Sequence, residues 1–202
     1  PTTSAAYART AKGEAEVFVA KLKSDGSALI FSTLLGGSSS DIPMALAVDA
    51  RGNPLLAGYT QSENFPTTSN AFRKRIRGGA DIFVTKLRSD GSTLLFSTLV
   101  GGSGEDAAAA LALDPGGNAV IAGYTESPDF PTTDEAYSRS LSGKGDAFVI
   151  KLTADGSALI FSTLLGGAEK DVATALALDP GGNPVITGNT KSTNFPTTAD
   201  AF

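Results

Sequence analysis

The chain has 202 residues, 41% hydrophobic and 18% charged, with 23 Gly, 10 Pro and a net charge of −5. That is enough apolar material for a sizeable core, in a turn-rich ordered chain rather than a disordered one. The sequence contains no Cys and no His, which excludes Cys/His zinc sites, thiol nucleophiles and hydrolases with an imidazole base; the acidic balance speaks against nucleic acid as a partner.

No run of about 18 apolar residues exists, so no membrane insertion by a helix is expected. No signal-peptide pattern opens the chain, and without cysteines no disulfide reports its compartment.

In chain order, "PTTSAAY" is followed by the strand-like run "VFVAKL", Val17 to Leu22. The turn "KSDGS" then leads to "ALIFSTLL", whose apolar core runs from Leu29 to Leu35. Both runs are rich in β-branched and aromatic residues, and Asp25-Gly26 is the kind of pair that tolerates positive φ in a tight hairpin. Next come "MALAVD" and "PLLAGYT", joined by Arg51-Gly52-Asn53, and then a long link from Gln61 to Ala80 that carries "NFPTTSNAF". After that link everything recurs.

Phe18, Phe83 and Phe148 lie 65 residues apart, as do the starts of "FSTLLGG", "FSTLVGG" and "FSTLLGG" at Phe31, Phe96 and Phe161. Asp90-Gly91 and Asp155-Gly156 repeat the first turn, and Gly116-Gly117-Asn118 repeats the second. No insertion breaks the register, and the last seven residues, from Pro196, repeat Pro1 to Tyr7.

A fixed period of this size marks a repeat architecture. Each period holds four short strands, mostly continuous apolar runs, which suits sheets packed on both faces. "AAAALALD" has helical propensity, but it is short, lies between Gly-rich turns and becomes "IPMALAVD" with Pro43 in the first copy. The fold class expected is all-β, with β-propeller blades of four antiparallel strands.

Crowding around a propeller axis favours small side chains. "ALAVD", "ALALD" and "ALALD", from Ala45, Ala110 and Ala175, are therefore placed innermost, where a sheet edge also tolerates Pro43. "PLLAGYT", "IFVTKL" and "LLFSTLV" follow outward.

The linked motifs from Asp81 to Thr133, "DIFVTKLRSDGSTLLFSTLVGGSGEDAAAALALDPGGNAVIAGYTESPDFPTT", resemble the bacterial SBBP-type β-propeller repeat family, named for seven-bladed propellers. The likeness recurs through all three periods. It implies an extracellular or cell-surface repeat module and brings no common catalytic residues. Three periods are fewer than the seven blades of the family's name, so the resemblance implies that one chain does not close such a ring alone.

With this strand order the chain divides into an outer half-blade (1–42), two blades (43–107 and 108–172) and an inner half-blade (173–202). The strands of the two blades lie between Pro43 and Val100 and between Ala108 and Leu165, and those of the last half-blade between Ala173 and Thr190. Both ends then present unpaired strands that seek a partner. Three arrangements satisfy them: adjoining repeats of a longer chain, blade completion between copies, or self-closure into a three-blade ring of extreme wedge angle. Completion between copies gives a ring if the rotation closes and a filament if it does not. The residues expected to carry assembly are Val17, Phe18, Val19, Leu29 and Phe31 at one end, and Ala175, Leu176, Leu178, Val185 and Ile186 at the other.

Other candidate sites compete with packing explanations. Phe65, Phe130 and Phe195, with Thr67, Thr132 and Thr197, form a row able to contact a glycan or a surface protein, or alternatively plugs between blades. Arg73, Lys74, Arg75 and Arg77 form a basic cluster suited to an acidic polymer or to a solvated loop tip. Asp41, Asp106 and Asp171, or Asp49, Asp114 and Asp179, would suit Ca²⁺ if they lined a channel; Asx-turns and hairpin ends explain them more simply. No metal or cofactor is expected. No repeat has a carboxylate pair set apart from the others, as a glycosidase would need, and Trp is absent. The expectation is a non-catalytic structural repeat protein that assembles by strand complementation. The alternative is a glycan- or protein-binding propeller module.

Overall fold

The computed structural model describes residues 1–201 and contains strands and turns without a helix among them. Twelve strands follow one another: β1 (Val17–Leu22), β2 (Leu29–Leu35), β3 (Asp41–Val48), β4 (Pro54–Thr60), β5 (Asp81–Leu87), β6 (Leu94–Val100), β7 (Asp106–Leu113), β8 (Ala119–Thr125), β9 (Asp146–Leu152), β10 (Leu159–Leu165), β11 (Asp171–Leu178) and β12 (Pro184–Thr190). They form two complete antiparallel blades, β3-β4-β5-β6 and β7-β8-β9-β10, flanked by two-stranded sheets β1-β2 and β11-β12. The fold is an all-β partial propeller with a 65-residue repeat, and the strand order within each blade is the one expected.

The alanine-rich strand is the inner one. β7 packs against both β3 and β11 where the blades converge. Each of these strands carries a bulge, between Pro43 and Ala45, Ala108 and Ala110, and Ala173 and Ala175. The bulge recurs without proline in the second and third copies, so Pro43 accommodates a break in pairing that the repeat already has.

The continuous apolar runs are explained by alternation onto two buried faces. Leu56, Phe83, Leu87 and Leu99 face β1-β2 and join Val17, Val19, Phe31 and Leu35 in one core. Leu55, Ala57, Ile82, Val84, Phe96 and Val100 face the other way, onto Ile121, Phe148, Ile150, Leu152 and Leu164 of the second blade. A third, smaller core joins Val120, Ala122, Ala147 and Val149 to Ala173 of the inner half-blade. Each large side chain that is fully buried this way contributes about 1.5–3 kcal/mol.

The outer hairpins differ in detail from expectation. Only the glycine of each Asp-Gly pair has positive φ, 71° at Gly26, 72° at Gly91 and 70° at Gly156, and no residue other than Gly does so among those described. The Gly26 N–H donates to the Lys23 carbonyl at 2.9 Å, while the Asp25 carboxylate accepts from Ser27 N–H at 2.9 Å and Ser27 Oγ at 2.7 Å. The result is a turn with one left-handed residue followed by a register shift beside Leu22, rather than a two-residue turn with both central residues at positive φ. The aspartate acts as a local acceptor.

The long link has a structural role that its sequence only hinted at. After β4 it crosses to the outer edge of its own blade, where Thr68 N–H donates to the Ser97 carbonyl at 2.9 Å and Leu99 N–H donates to Arg73 at 3.0 Å. Ser97 Oγ donates to the Pro66 carbonyl at 2.6 Å. Thr133 and Ser138 do the same for β10, and Thr3 and Ala8 for β2. The "FPTT" segment thus covers an outer strand edge that would otherwise be open to pairing.

Candidate functional site: two open blade edges

With the outer edges covered and the inner edges gathered at the axis, two strand edges lack a pairing strand among the described residues: the side of β1 away from β2, and the side of β12 away from β11. In complete blades the corresponding strands pair, β4 with β5 and β8 with β9. Among the described residues β1 pairs with β2 alone and β12 with β11 alone.

Burial marks the same edges. Phe18 is 71% exposed, whereas its counterparts Phe83 and Phe148 are fully buried. Val185 is 59% exposed, whereas Leu55 and Val120 are buried. Leu46 and Val48 on β3 are exposed too, while Leu111 and Leu113 are half-buried against the core. Of the residues expected to carry assembly, Val17, Val19 and Phe31 are buried against the first complete blade, so their side chains hold the half-blade to its own chain. Leu176, Leu178 and Ile186 pack on the third core, Ala175 sits exposed on the inner strand, and Leu29 is exposed near the outer turn. Phe18 and Val185 are the members of that set that the open edges present.

The aromatic row is mostly consumed by packing. Phe65 stacks on Phe83 with centroids 4.9 Å apart, and Phe130 on Phe148 at 5.1 Å; both link phenylalanines are buried. Phe195 is half-buried and stacks on no other ring among the described residues. It lines a cavity of about 190 Å³ together with Ala147, Leu165, Ile186 and Gly188, at the edge of β12. Thr67 and Thr132 are half-buried and Thr197 is exposed.

The two aspartate sets have different environments. Asp49 and Asp114 close the inner hairpins: Asp49 accepts from Arg51 N–H, Asn53 N–H and Asn53 Nδ2, each at 2.9 Å. They also pair with Lys86 at 2.8 Å and Lys151 at 2.6 Å. Burial works against the ionised carboxyl, but the lysine and the asparagine outweigh it, so Asp114 is lowered to about 2 and Asp49 lies well below the usual range. Asp179 makes the same turn with Asn183 and pairs with no lysine among the described residues.

Asp41, Asp106 and Asp171 are buried and brace the Gly-Gly turns, accepting from Gly37, Gly102 and Gly167 N–H at 2.7 Å in each case. A Cβ on Gly101 would lie 2.6 Å from Asp81 Cγ and 2.8 Å from Asp106 Oδ2, so the turn needs glycine because two carboxylates press on it. Burial, reinforced by the Asp106 charge, pushes Asp81 up to about 6. Neither aspartate set forms a ring around a channel within the chain, and no group of three metal-ligating side chains converges among the described residues.

The basic cluster is partly tied down. Arg73 donates to the Gly101 carbonyl and lies over the Phe72 ring, and Arg77 pairs with Asp129 at 3.7 Å. Lys21 and Gly188 lie in the terminal strands expected to carry assembly, Gly26 in an expected turn and Phe161 at the start of a repeated motif; sequence reasoning did not single them out as residues whose surroundings differ from those of their repeats. The signal was available in the period itself, because their counterparts form contacts that they lack.

No family model matches the chain, and no curated protein matches it.

Proposed function

We propose that the protein is a non-catalytic structural repeat protein, a scaffold outside the cell or on its surface, that assembles by completing blades between copies. The observation that carries this reading is Phe18: a phenylalanine buried in both complete blades stands 71% exposed on the open edge of β1. An exposed apolar edge strand is a template for a further strand, and a soluble monomer normally blunts such edges. Here the outer edges are covered by the "FPTT" links, while β1 and β12 are left bare.

The linked motifs over Asp81 to Thr133 and the four-stranded repeat support placing the chain with the SBBP-type propellers. The extracellular or surface location rests on that resemblance. Near-equivalent repeats, each using its aspartates in the same turns, favour a distributed scaffold over one catalytic centre. The glycan- or protein-binding alternative loses most of its aromatic contacts to the Phe65 and Phe130 stacks.

The test is the mass of the 202-residue chain in solution across a concentration series, with negative-stain images of the same samples. Discrete oligomers or polymers are expected. A folded monomer at every concentration would sink the scaffold.

A further inference from the structure

We propose that the cleft between the two complete blades is a binding site for a primary alkylammonium group, held by Glu105, Gln61 and the ring of Tyr59. The site is internal to the repeat array and independent of the scaffold reading.

Two junctions between successive sheets can be compared position by position. One joins β3-β4-β5-β6 to β7-β8-β9-β10, and the other joins that second blade to β11-β12. The backbone is alike in both: Ala80 bridges to Glu105 in the first, and Gly145 bridges to Lys170 in the second. Moved along the 65-residue period, Tyr59, Gln61 and Glu105 correspond to Tyr124, Glu126 and Lys170.

The second junction carries a cation of its own. Lys170 Nζ lies 4.2 Å from the centroid of the Tyr124 ring and donates to Glu126 Oε1 at 2.5 Å. Its pKa is raised, chiefly by that hydrogen bond. An ammonium on an alkyl stem therefore suits this backbone, where a tyrosine face and a carboxylate both attract it.

The first junction keeps the tyrosine and exchanges the other two residues. The lysine position holds Glu105 and the glutamate position holds Gln61, so a ring face and two acceptors stand there without a basic side chain. Glu105 is exposed and makes no ion pair among the described residues. The field of Lys170 reaches it, but that ammonium is committed to Glu126. A cavity of about 160 Å³ lies here, lined by Tyr59, Gln61, Glu105, Asp106 and Tyr124. Asp106 is fully buried, and its Oδ1 accepts no hydrogen bond. A buried acceptor short of a donor is costly, which again favours a donor as ligand.

The lining also selects the kind of cation. No group of three metal-ligating side chains converges among the described residues, which favours an organic cation over a metal ion. A primary ammonium brings three donors, which Glu105 and the Gln61 carbonyl can accept, whereas a quaternary ammonium brings none. A cavity of about 150 Å³ takes a benzene-sized group, so a four-carbon stem fits this one.

The test is isothermal titration calorimetry on the complete chain with three probes. They are n-butylammonium, a lysine blocked at both its amino and carboxyl ends, and butanol as the neutral isostere. An ammonium probe is expected to bind at one site per chain with a dissociation constant on the order of 1 mM, and butanol about 10-fold or more weakly. Tighter binding of the blocked lysine assigns the group to a protein side chain, and tighter binding of n-butylammonium assigns it to a free amine. No binding by either, or equal binding of butanol, would overturn the site.

Two variants locate it. Glu105→Lys combined with Gln61→Glu transplants the Lys170–Glu126 pair into the cleft. Its own ammonium then takes the ligand's place, and affinity is expected to fall about 10-fold or more with an unchanged circular dichroism spectrum. Tyr59→Leu leaves both acceptors in place and is expected to weaken binding about 2- to 30-fold. Unchanged affinity in either variant would put the ammonium elsewhere on the chain and overturn the assignment.

Discussion

A complete blade and the two half-blades contain the same four strands, yet the same residue types have different surroundings in each. Phe83 is buried between two sheets and Phe18 stands 71% exposed; Lys86 meets Asp49 at 2.8 Å, while Lys21 and Asp179 sit at opposite ends of the chain without partners among these contacts. The residues compared recur at fixed spacing in the period, so the difference shows what neighbouring sheets contribute. A blade takes its burial from the sheets on either side and its pairing from the strand next to it, as in other one-dimensional repeat arrays.

The sharpest way to break this comparison is to truncate the two equivalent phenylalanines in turn. Phe83→Ala should cost about 3–5 kcal/mol in urea unfolding, whereas Phe18→Ala should leave the unfolding of the isolated chain at low concentration nearly unchanged. Comparable losses would mean that Phe18 is buried in the monomer, contrary to its exposure here.

The turn glycines give the next largest contrast. Gly91→Ala combines a left-handed φ with a clash against the Phe31 ring and should cost about 2–4 kcal/mol. Gly26→Ala carries the φ penalty alone, about 1–2 kcal/mol, because nothing lies within 4 Å of its Cβ position. Thermal melts of the two variants, recorded at a concentration where the chain is monomeric, check the difference.

A pH series sharpens the picture of the buried carboxylates. Asp81 is raised to about 6 by burial and by the Asp106 charge, and Asp106 is raised as well, chiefly by burial. The folded state therefore binds these protons more tightly than the unfolded chain. Their contribution is fully present below the ordinary carboxyl value and is lost as pH rises through about 6. Asp114, lowered to about 2, works in the opposite sense, and its contribution is lost as pH falls below the ordinary value toward 2. Stability should thus be greatest near pH 4–5 and lower at pH 7. Asp81→Asn should flatten the decline between pH 4 and 7 by about 1–3 kcal/mol, as read by denaturant midpoints across the series.

The smallest effect concerns the ion pairs. Lys86→Met should cost about 1 kcal/mol, since it leaves the half-buried Asp49 without its cation. Lys21→Met should leave the monomer's stability unchanged while weakening assembly. A loss of equal size in both variants at low concentration would place Lys21 in a contact of its own chain.

Much of the fold was legible in the sequence. The unbroken period set the repeat, the Asp-Gly and Gly-Asn pairs set the turns, and Ala45, Ala110 and Ala175 set the inner strand, because crowding at the axis acts on side-chain size. The covering of each outer edge by its link was not legible, since the Thr68–Ser97 and Arg73–Leu99 contacts depend on where a loop of ordinary polar residues comes to lie. The doubled burial of Phe65 and Phe83 was half visible, as one of two roles for the same ring.

By itself, then, the sequence determined which segments are strands and how they group into four-stranded repeats, because backbone propensity and period are properties of the chain alone. Only the tertiary structure decided which copy of each residue is buried, which aspartates share a turn and where a cavity lies open. Those depend on the sheet that packs alongside, and at β1 and β12 that sheet is not part of the described chain.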